Sequence, residues 1–364
     1  MANTVKSLFE GKMEYTRNII QEELYETFKE RTKIKRYTRQ TYELESKAGR
    51  IFDMEAEAIE SRQWNVIGYK EFPIYHPSRI IRAPHIVDRV VESWYIDEFI
   101  ANYWQGKLTK GNSANQRGKG QFYAIGLIKE EMTRMWHTYR DQWWYYQFDM
   151  EKYFDNMRHE IVLEKFKNID GLGYYMLEQT LKSYHSVPAQ KEAYYAKEHP
   201  DDPSGLPKGN LPSQWCGVVY LDSLDHELEN QGTFCVRYMD DGWMAFPDKE
   251  ACAKTDRFVR QYLSENEMGV RLNAKKTHYA PIKNGFTFCG WRLYYDEKGE
   301  IHMRVRNSTK TIMENRLKII KKLVEEEKFD RMKARTILDG MVHYLMHGTD
   351  SEPLIKYFYK HYYI

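Results

Sequence analysis

With 364 residues, 42% of them hydrophobic and 30% charged, the chain has the composition of a soluble globular protein, longer than one typical domain and short for two independent ones. A net charge of +2 and a pI near 8.1 do not by themselves point to a polyanionic partner, because phosphate binding depends on clustered Lys and Arg. The scattered Cys216, Cys235, Cys252 and Cys289 exclude a disulfide framework and offer no metal-ligand spacing. No uncharged apolar run is long enough to cross a bilayer, and Met1–Tyr15 lacks the apolar core of a signal peptide. The expectation is a cytoplasmic protein without a membrane partner.

In chain order, residues 1–62 are rich in Glu, Lys, Arg and Tyr and predict two helices joined by a basic bend that carries Lys29, Arg31, Lys33, Lys35, Arg36 and Arg39. Trp143 to Phe148 reads as a buried strand ending in Asp149, and Phe154, Met157, Ile161 and Phe166 continue at helical spacing. The stretch from Lys165 to Asp202 reads as helical. A loop rich in Gly and Pro, Gly205 to Gln214, leads into an apolar helical segment, Trp215 to Leu228. Val236-Arg237 and Trp243 to Phe246 flank Tyr238-Met239-Asp240-Asp241 as a hairpin, and Leu272 to Thr277 and Gly285 to Trp291 form further loops and turns. Met313, Leu317, Ile320 and Leu323, then Ile337, Met341, Tyr344 and Leu345, predict two amphipathic C-terminal helices.

Taken alone, Asp-Asp-Gly between two β-prone runs is an ordinary turn, and Asp149 an acidic helix start. Together the three carboxylates supply the minimum set for two Mg²⁺ ions, about 3.5–4 Å apart, whose remaining ligands come from substrate phosphates. His343 and His347, four apart on a helix, have zinc-ligand spacing, but Tyr344 stands where a zinc protease has Glu and no third ligand is evident.

The order and spacing of these motifs resemble a reverse transcriptase. Asp149 with Tyr153-Phe154, the Leu206 to Gln214 loop, Tyr238 to Asp241, Asn273 to Thr277 and Phe286 to Trp291 match the successive palm motifs. Tyr69 to Pro77, Arg79 to Pro84, Asp88 to Val91 and Arg117 to Gly120 resemble the fingers motifs of the bacterial branch. Gly-Asn-Leu-Pro-Ser-Gln is most similar to the diversity-generating retroelement enzymes and the related phage-defence enzymes. Lys208 departs from the Gln or aliphatic residue usual there.

The resemblance implies an α+β right-hand polymerase: an N-terminal helical extension at 1–62, fingers at 63–135, a palm of antiparallel sheet and helices at 136–306, and a short helical thumb at 307–364. It implies Mg²⁺ held by Asp149, Asp240 and Asp241, with Lys276 protonating the leaving pyrophosphate. Arg79, Phe154, Lys208, Gly209 and Gln214 would bind the nucleotide, with Phe154 excluding a 2′-hydroxyl. Phe288, Gly290 and Trp291 would grip the primer, and Arg304, Arg306, Lys318, Lys321 and Lys322 would follow the nucleic-acid backbone. The implied partners are an RNA template, a DNA or RNA primer and dNTPs, with a structured non-coding RNA and an accessory protein as further candidates. The 58 residues after Arg306 are too few for a thumb plus a nuclease domain. Three activities stay open: RNA-directed DNA synthesis, template-independent or protein-primed DNA synthesis on the same fold, and a non-catalytic RNA-binding module like a maturase.

Overall fold

The computed structural model describes residues 14–33, 38–75, 78–184 and 193–363. It divides into two units, one made of Met1–Leu108, Lys152–Tyr220 and Met268–Val270, the other of Thr109–Glu151, Leu221–Glu267 and Arg271–Ile364.

In the first unit, helix Arg17–Thr32 buries Ile20, Leu24 and Phe28, one residue per turn, and packs on helix Ala48–Glu60, which buries Phe52, Ala56 and Ile59. The Arg17 guanidinium forks onto Asp53 at 2.8 and 2.6 Å. A separate short helix, Arg39–Glu45, is capped by Thr38, whose hydroxyl accepts from the Thr41 N–H, so the described residues of the extension hold three helices where two were expected. Of the basic bend, Lys35 and Arg36 lie outside the described residues. The other cations face carboxylates: Lys29 on Glu26, Lys33 on Glu30, Arg31 on Asp97 and Arg39 on Glu43. Exposed pairs of this kind contribute about 0–1 kcal/mol each and leave little free positive charge.

An antiparallel hairpin follows, β1 (Tyr69–Tyr75) with β2 (Ser78–Pro84), and then helix Ile86–Tyr95. That helix buries even its acids: the Asp88 carboxylate accepts the N–H groups of Ile67 and Gly68 at 3.0 and 3.1 Å and ties the helix to the start of β1. Beyond Asp149 the single helix expected through Phe166 is broken. Lys152 takes a positive φ of 46°, a 3₁₀ turn spans Tyr153–Asn156, and helix His159–Phe166 starts only after an extended Arg158. Asn156 stabilises the break, since its amide donates to Lys152 O and its carbonyl accepts from the Tyr195 N–H. Helices Gly171–Tyr184, Tyr194–Glu198 and Leu211–Tyr220 complete this unit. The helix expected from Trp215 to Leu228 ends at Tyr220 and restarts as Asp222–Asn230 in the second unit.

The second unit is built on a four-stranded antiparallel sheet in the order β4 (Val236–Tyr238), β5 (Asp241–Phe246), β3 (Trp144–Asp149), β6 (His278–Pro281). Alternation along β3 sends Tyr146 to helix Lys249–Glu265, where its hydroxyl donates to Asp256 at 2.9 Å, and Tyr145 to the opposite side against Phe286. Burial on both faces explains why β3 reads as a continuous apolar run. A second antiparallel sheet, β7 (Phe286–Phe288), β8 (Trp291–Tyr295) and β9 (Ile301–Val305), shares its core with helices Asn307–Glu325, Arg331–Leu345 and Glu352–Tyr362. Three C-terminal helices thus stand where two were expected. The last, entered through Pro353, buries Phe358 and Tyr362 behind a run of surface tyrosines that hides its periodicity.

Phe358 is fully buried in that core, so Phe358→Ala should destabilise the protein by about 3–5 kcal/mol in denaturant unfolding. A loss below about 1 kcal/mol would mean that the last helix is not part of the core.

Candidate active site

The three acids meet at one end of the four-stranded sheet. Asp149 is the last residue of β3 and Asp241 the first of β5, and the register sets them directly opposite each other. Between Tyr238 and Asp241, themselves paired, lies a two-residue turn, Met239-Asp240, in which Met239 takes a positive φ of 57°. The Asp240 carbonyl accepts the Met150 N–H at 3.2 Å, which ties the turn to the chain leaving β3. Arg237, not singled out in the sequence, donates to the Met239 carbonyl at 2.8 Å.

Like charges directly opposite on paired strands repel, and here the repulsion is only partly relieved. Asp149 is 5% exposed and accepts Asn273 Nδ2 at 3.1 Å and Lys276 Nζ at 2.8 Å, so the segment after Leu272 wraps this carboxylate. Burial, then the charges of Asp240 and Asp149, push the Asp241 carboxyl up to about 7. Burial works against the Lys276 ammonium, but its bond to Asp149 and the fields of Asp241 and Asp240 outweigh it and raise its pKa. Cys289 senses the same charges: burial first, then Asp241 and Asp240, push its thiol up to about 12. Phe288 and Trp291 are buried in the core, and the turn between them is Cys289-Gly290, both with positive φ. Asp149 and Asp241 across the strand pair, with Asp240 in the adjoining turn, are hard oxygen donors of the kind that could hold divalent cations.

His347 stacks on Phe122 with ring centroids 3.7 Å apart, and the His343 ring meets His347 edge-on. Asp296, Glu300 and His302 bring potential ligand atoms within 4.8 Å of one another. Within that group His302 pairs with Asp296 at 3.5 Å, and it also pairs with Asp350 at 2.9 Å.

The first unit gathers its own set of candidates. Phe154 is half-buried on the 3₁₀ turn, and its carbonyl accepts the Leu206 N–H at 2.7 Å, which fastens the Gly-Pro loop to that turn. Lys208 Nζ donates to Asp155 Oδ2 at 2.7 Å, and Lys208 O accepts the Arg82 N–H at 3.0 Å. Gly209 has φ +115°, and a Cβ there would come within 2.6 Å of Ile81 Cγ2, so only glycine lets the loop lie against β2. Gln214 is half-buried on helix Leu211–Tyr220, while Asn210 buries its amide on Tyr184 and caps the helix by accepting the Ser213 N–H. Arg79 is exposed on β2, whereas Arg82, an odd number of residues on and so on the other face, is buried and paired with Glu71 at 2.6 Å. Asp155 was missed in the sequence because its partner Lys208 is distant along the chain, while Arg82 and Asn210 lie within quoted motifs but were given no role.

Among the C-terminal cations, Arg304 lies over the Tyr294 ring, and Arg306 is the exposed N-cap of helix Asn307–Glu325. Lys318 is exposed, Lys321 donates to His361 O at 3.0 Å and Lys322 approaches Glu326 at 3.8 Å.

A family model described as reverse transcriptase (RNA-dependent DNA polymerase) matches residues 78–293. No curated protein matches the chain. Among solved structures, apo telomerase from Candida tropicalis aligns with a TM-score of 0.40 and 12% identity, over 67% of this chain and 52% of that one. Its form truncated from the C-terminal domain gives 0.43 and 11%, over 68% and 58%. Telomerase from Candida albicans in complex with a fragment of telomeric RNA gives 0.44 and 10%, over 78% and 58%. The chain therefore spans just over half the length of these telomerase chains.

Because the Asp241 carboxyl is raised above its ordinary 3.8, its contribution to folding is complete below that pH and is lost as the pH rises through about 7. Metal-free protein should therefore lose stability across this window, and Asp241→Asn should lose less and melt higher at pH 8. Melting curves in chelator from pH 4 to 8 check this, and parallel profiles for the two proteins would contradict it.

Proposed function

The chain belongs to the reverse transcriptase family, whose right-hand polymerase fold it shares, and from that premise we propose that it is an RNA-directed DNA polymerase adding deoxynucleotides to a primer. The observation that carries the reading is the cross-strand pair of Asp149 and Asp241 with Asp240 in the adjoining turn, an arrangement whose charged form is repulsive and suits cation binding. The cation is Mg²⁺, which when bound activates the primer 3′-hydroxyl and neutralises the departing pyrophosphate.

Each remaining role belongs to the chain's own groups. Asp149, Asp240 and Asp241 present the metal-binding oxygens, and Lys276 supplies a proton to the leaving group from beside Asp149. In the other unit Phe154 excludes a 2′-hydroxyl, and Arg79, Lys208, Gly209 and Gln214 orient the nucleotide, the guanidinium by bidentate phosphate contacts. Gly290, in the turn between the buried Phe288 and Trp291, contacts the primer end, and Arg304, Arg306, Lys318, Lys321 and Lys322 neutralise backbone phosphates. These roles correspond to fingers at 63–135, palm at 136–306 and thumb at 307–364, after the N-terminal helices at 1–62. The working setting is a bacterial cytoplasm, in phage defence or a retroelement, with a structured RNA and an accessory protein as partners. The Gly-Asn-Leu-Pro-Ser-Gln motif supports that placement while Lys208 departs from it, and sequencing DNA that copurifies with the protein separates defence from diversification.

Asp240→Asn should reduce Mg²⁺-dependent primer extension on an RNA template to background without lowering the melting temperature. A well-folded variant extending at the wild-type rate would sink the assignment, and omission of the RNA template tests template dependence in the same assay.

Phe154→Ala should raise ribonucleotide relative to deoxyribonucleotide incorporation by about tenfold or more, since it opens space beneath C2′. An unchanged ratio of incorporation efficiencies would make Phe154 a packing residue.

A further inference from the structure

The turn that carries Asp240 has a polar foundation which none of the assigned roles uses. Arg237, in the middle of β4, is 0% exposed, and its guanidinium donates both to Asp225 and to the Met239 carbonyl. Nε reaches both carboxylate oxygens of Asp225 at 2.8 and 2.9 Å, and Nη2 reaches Oδ2 at 2.6 Å. Nη1 turns the other way and donates to the Met239 carbonyl at 2.8 Å. Asp225, on helix Asp222–Asn230, is itself 2% exposed and accepts a further bond from the buried Asn112 Nδ2 at 3.3 Å.

Asn112 arrives from a loop that seals the outer edge of β4. The Arg237 N–H donates to Gly111 O and the Ser113 N–H to Arg237 O, both at 2.9 Å, so three residues of loop add to the strand in parallel. The approach is so close that a Cβ on Gly111 would lie 1.8 Å from the Cys235 carbonyl oxygen.

A buried ion pair stabilises a fold no better than well-packed apolar residues, so stability alone does not explain this one. A guanidinium can fork onto a carboxylate and reach a carbonyl in the same plane, which an ammonium cannot do. The carbonyl it holds belongs to Met239, a residue with an unbranched side chain in the left-handed region that glycine favours. Released, Met239 would relax toward negative φ, and Asp240 and Asp241 would turn with it.

We infer that Arg237, braced by Asp225 and Asn112, is a positioning residue that locks the Met239-Asp240 turn so that the carboxylates at its end bind metal. Its kinetic consequences rest on the polymerase reading, but its effect on metal binding does not. Arg237 acts on the metal site through the turn.

The test is Arg237→Lys, which keeps the charge and loses the fork. Two measurements are made on the full chain: Mn²⁺ binding, from the loss of the free-ion paramagnetic resonance signal, and steady-state primer extension. Mn²⁺ affinity should fall by roughly tenfold or more, the scale on which residues orienting metal ligands act. In extension kcat should fall comparably, while KM for the nucleotide stays within about threefold. Adding Met239→Gly to Arg237→Lys should restore part of the Mn²⁺ affinity, because glycine holds the positive φ without help. A folded Arg237→Lys protein with a lower melting temperature but wild-type Mn²⁺ affinity and kcat would reduce the pair to a structural role and overturn the proposal, as would absence of any recovery in the double variant. Should Arg237→Lys fail to fold, the milder Asn112→Ala is judged by the same two measurements: a smaller loss in both supports the proposal, and wild-type values overturn it. Wild-type protein that binds Mn²⁺ but extends no primer, with binding weakened in Arg237→Lys, would retire the polymerase reading and leave the positioning role standing.

Discussion

Repulsion between Asp149 and Asp241, set face to face across two paired strands, is the constraint around which the second unit is organised. Left to itself the pair would splay, and cross-strand like charges are a standing cost to the sheet. Three devices oppose it. On β3, Tyr145 and Tyr146 anchor the strand on both faces. The segment after Leu272 brings Asn273 and Lys276 onto Asp149. On the other strand pair, Arg237 holds the turn from below. Burial first, then the charges of Asp240 and Asp149, still push the Asp241 carboxyl up to about 7, so these devices leave part of the repulsion uncancelled.

Rigidity around that point comes from aromatic packing. Trp143, Trp243 and Phe286 contact one another in sequence along the buried side of the sheet, with centroids at 6.3 and 5.2 Å. Trp291 continues the cluster against Tyr344 and Phe122. The abundance of aromatic residues therefore serves mainly the core. Large flat side chains with two rotatable bonds lose little entropy on ordering and fill space without alternative packings, which suits a site whose carboxylates must not drift.

Positive charge is handled in the opposite way, by local neutralisation. Lys208 sits on Asp155 and Arg82 on Glu71, and the N-terminal cations face acids of their own helices or of Asp97. Any anion approaching Lys208 would have to displace Asp155. A net charge of +2 thus conceals cations that, among the described residues, are paired with acids.

What the sequence by itself determined was everything written in local pattern. The strand before Asp149, the hairpin at Tyr238 to Asp241, the tight loop through Gly209 and the first C-terminal helices were legible, because alternation, turn residues and helical spacing act over a few neighbouring positions. The candidate carboxylates were legible as well, since each lies at the end of an apolar run. The tertiary structure alone decided the rest. It broke the helix expected after Asp149, because Asn156 finds its partner at Tyr195, and it added a third C-terminal helix, whose Phe358 has meaning only against a core assembled from distant strands. It also supplied Asp225, Asn112 and Asp155, ordinary polar residues in the sequence that acquire a role only when folding brings an arginine, a turn or a lysine within hydrogen-bonding distance. Such bonds join residues far apart along the chain, and no local pattern encodes a distance that only the assembled fold creates.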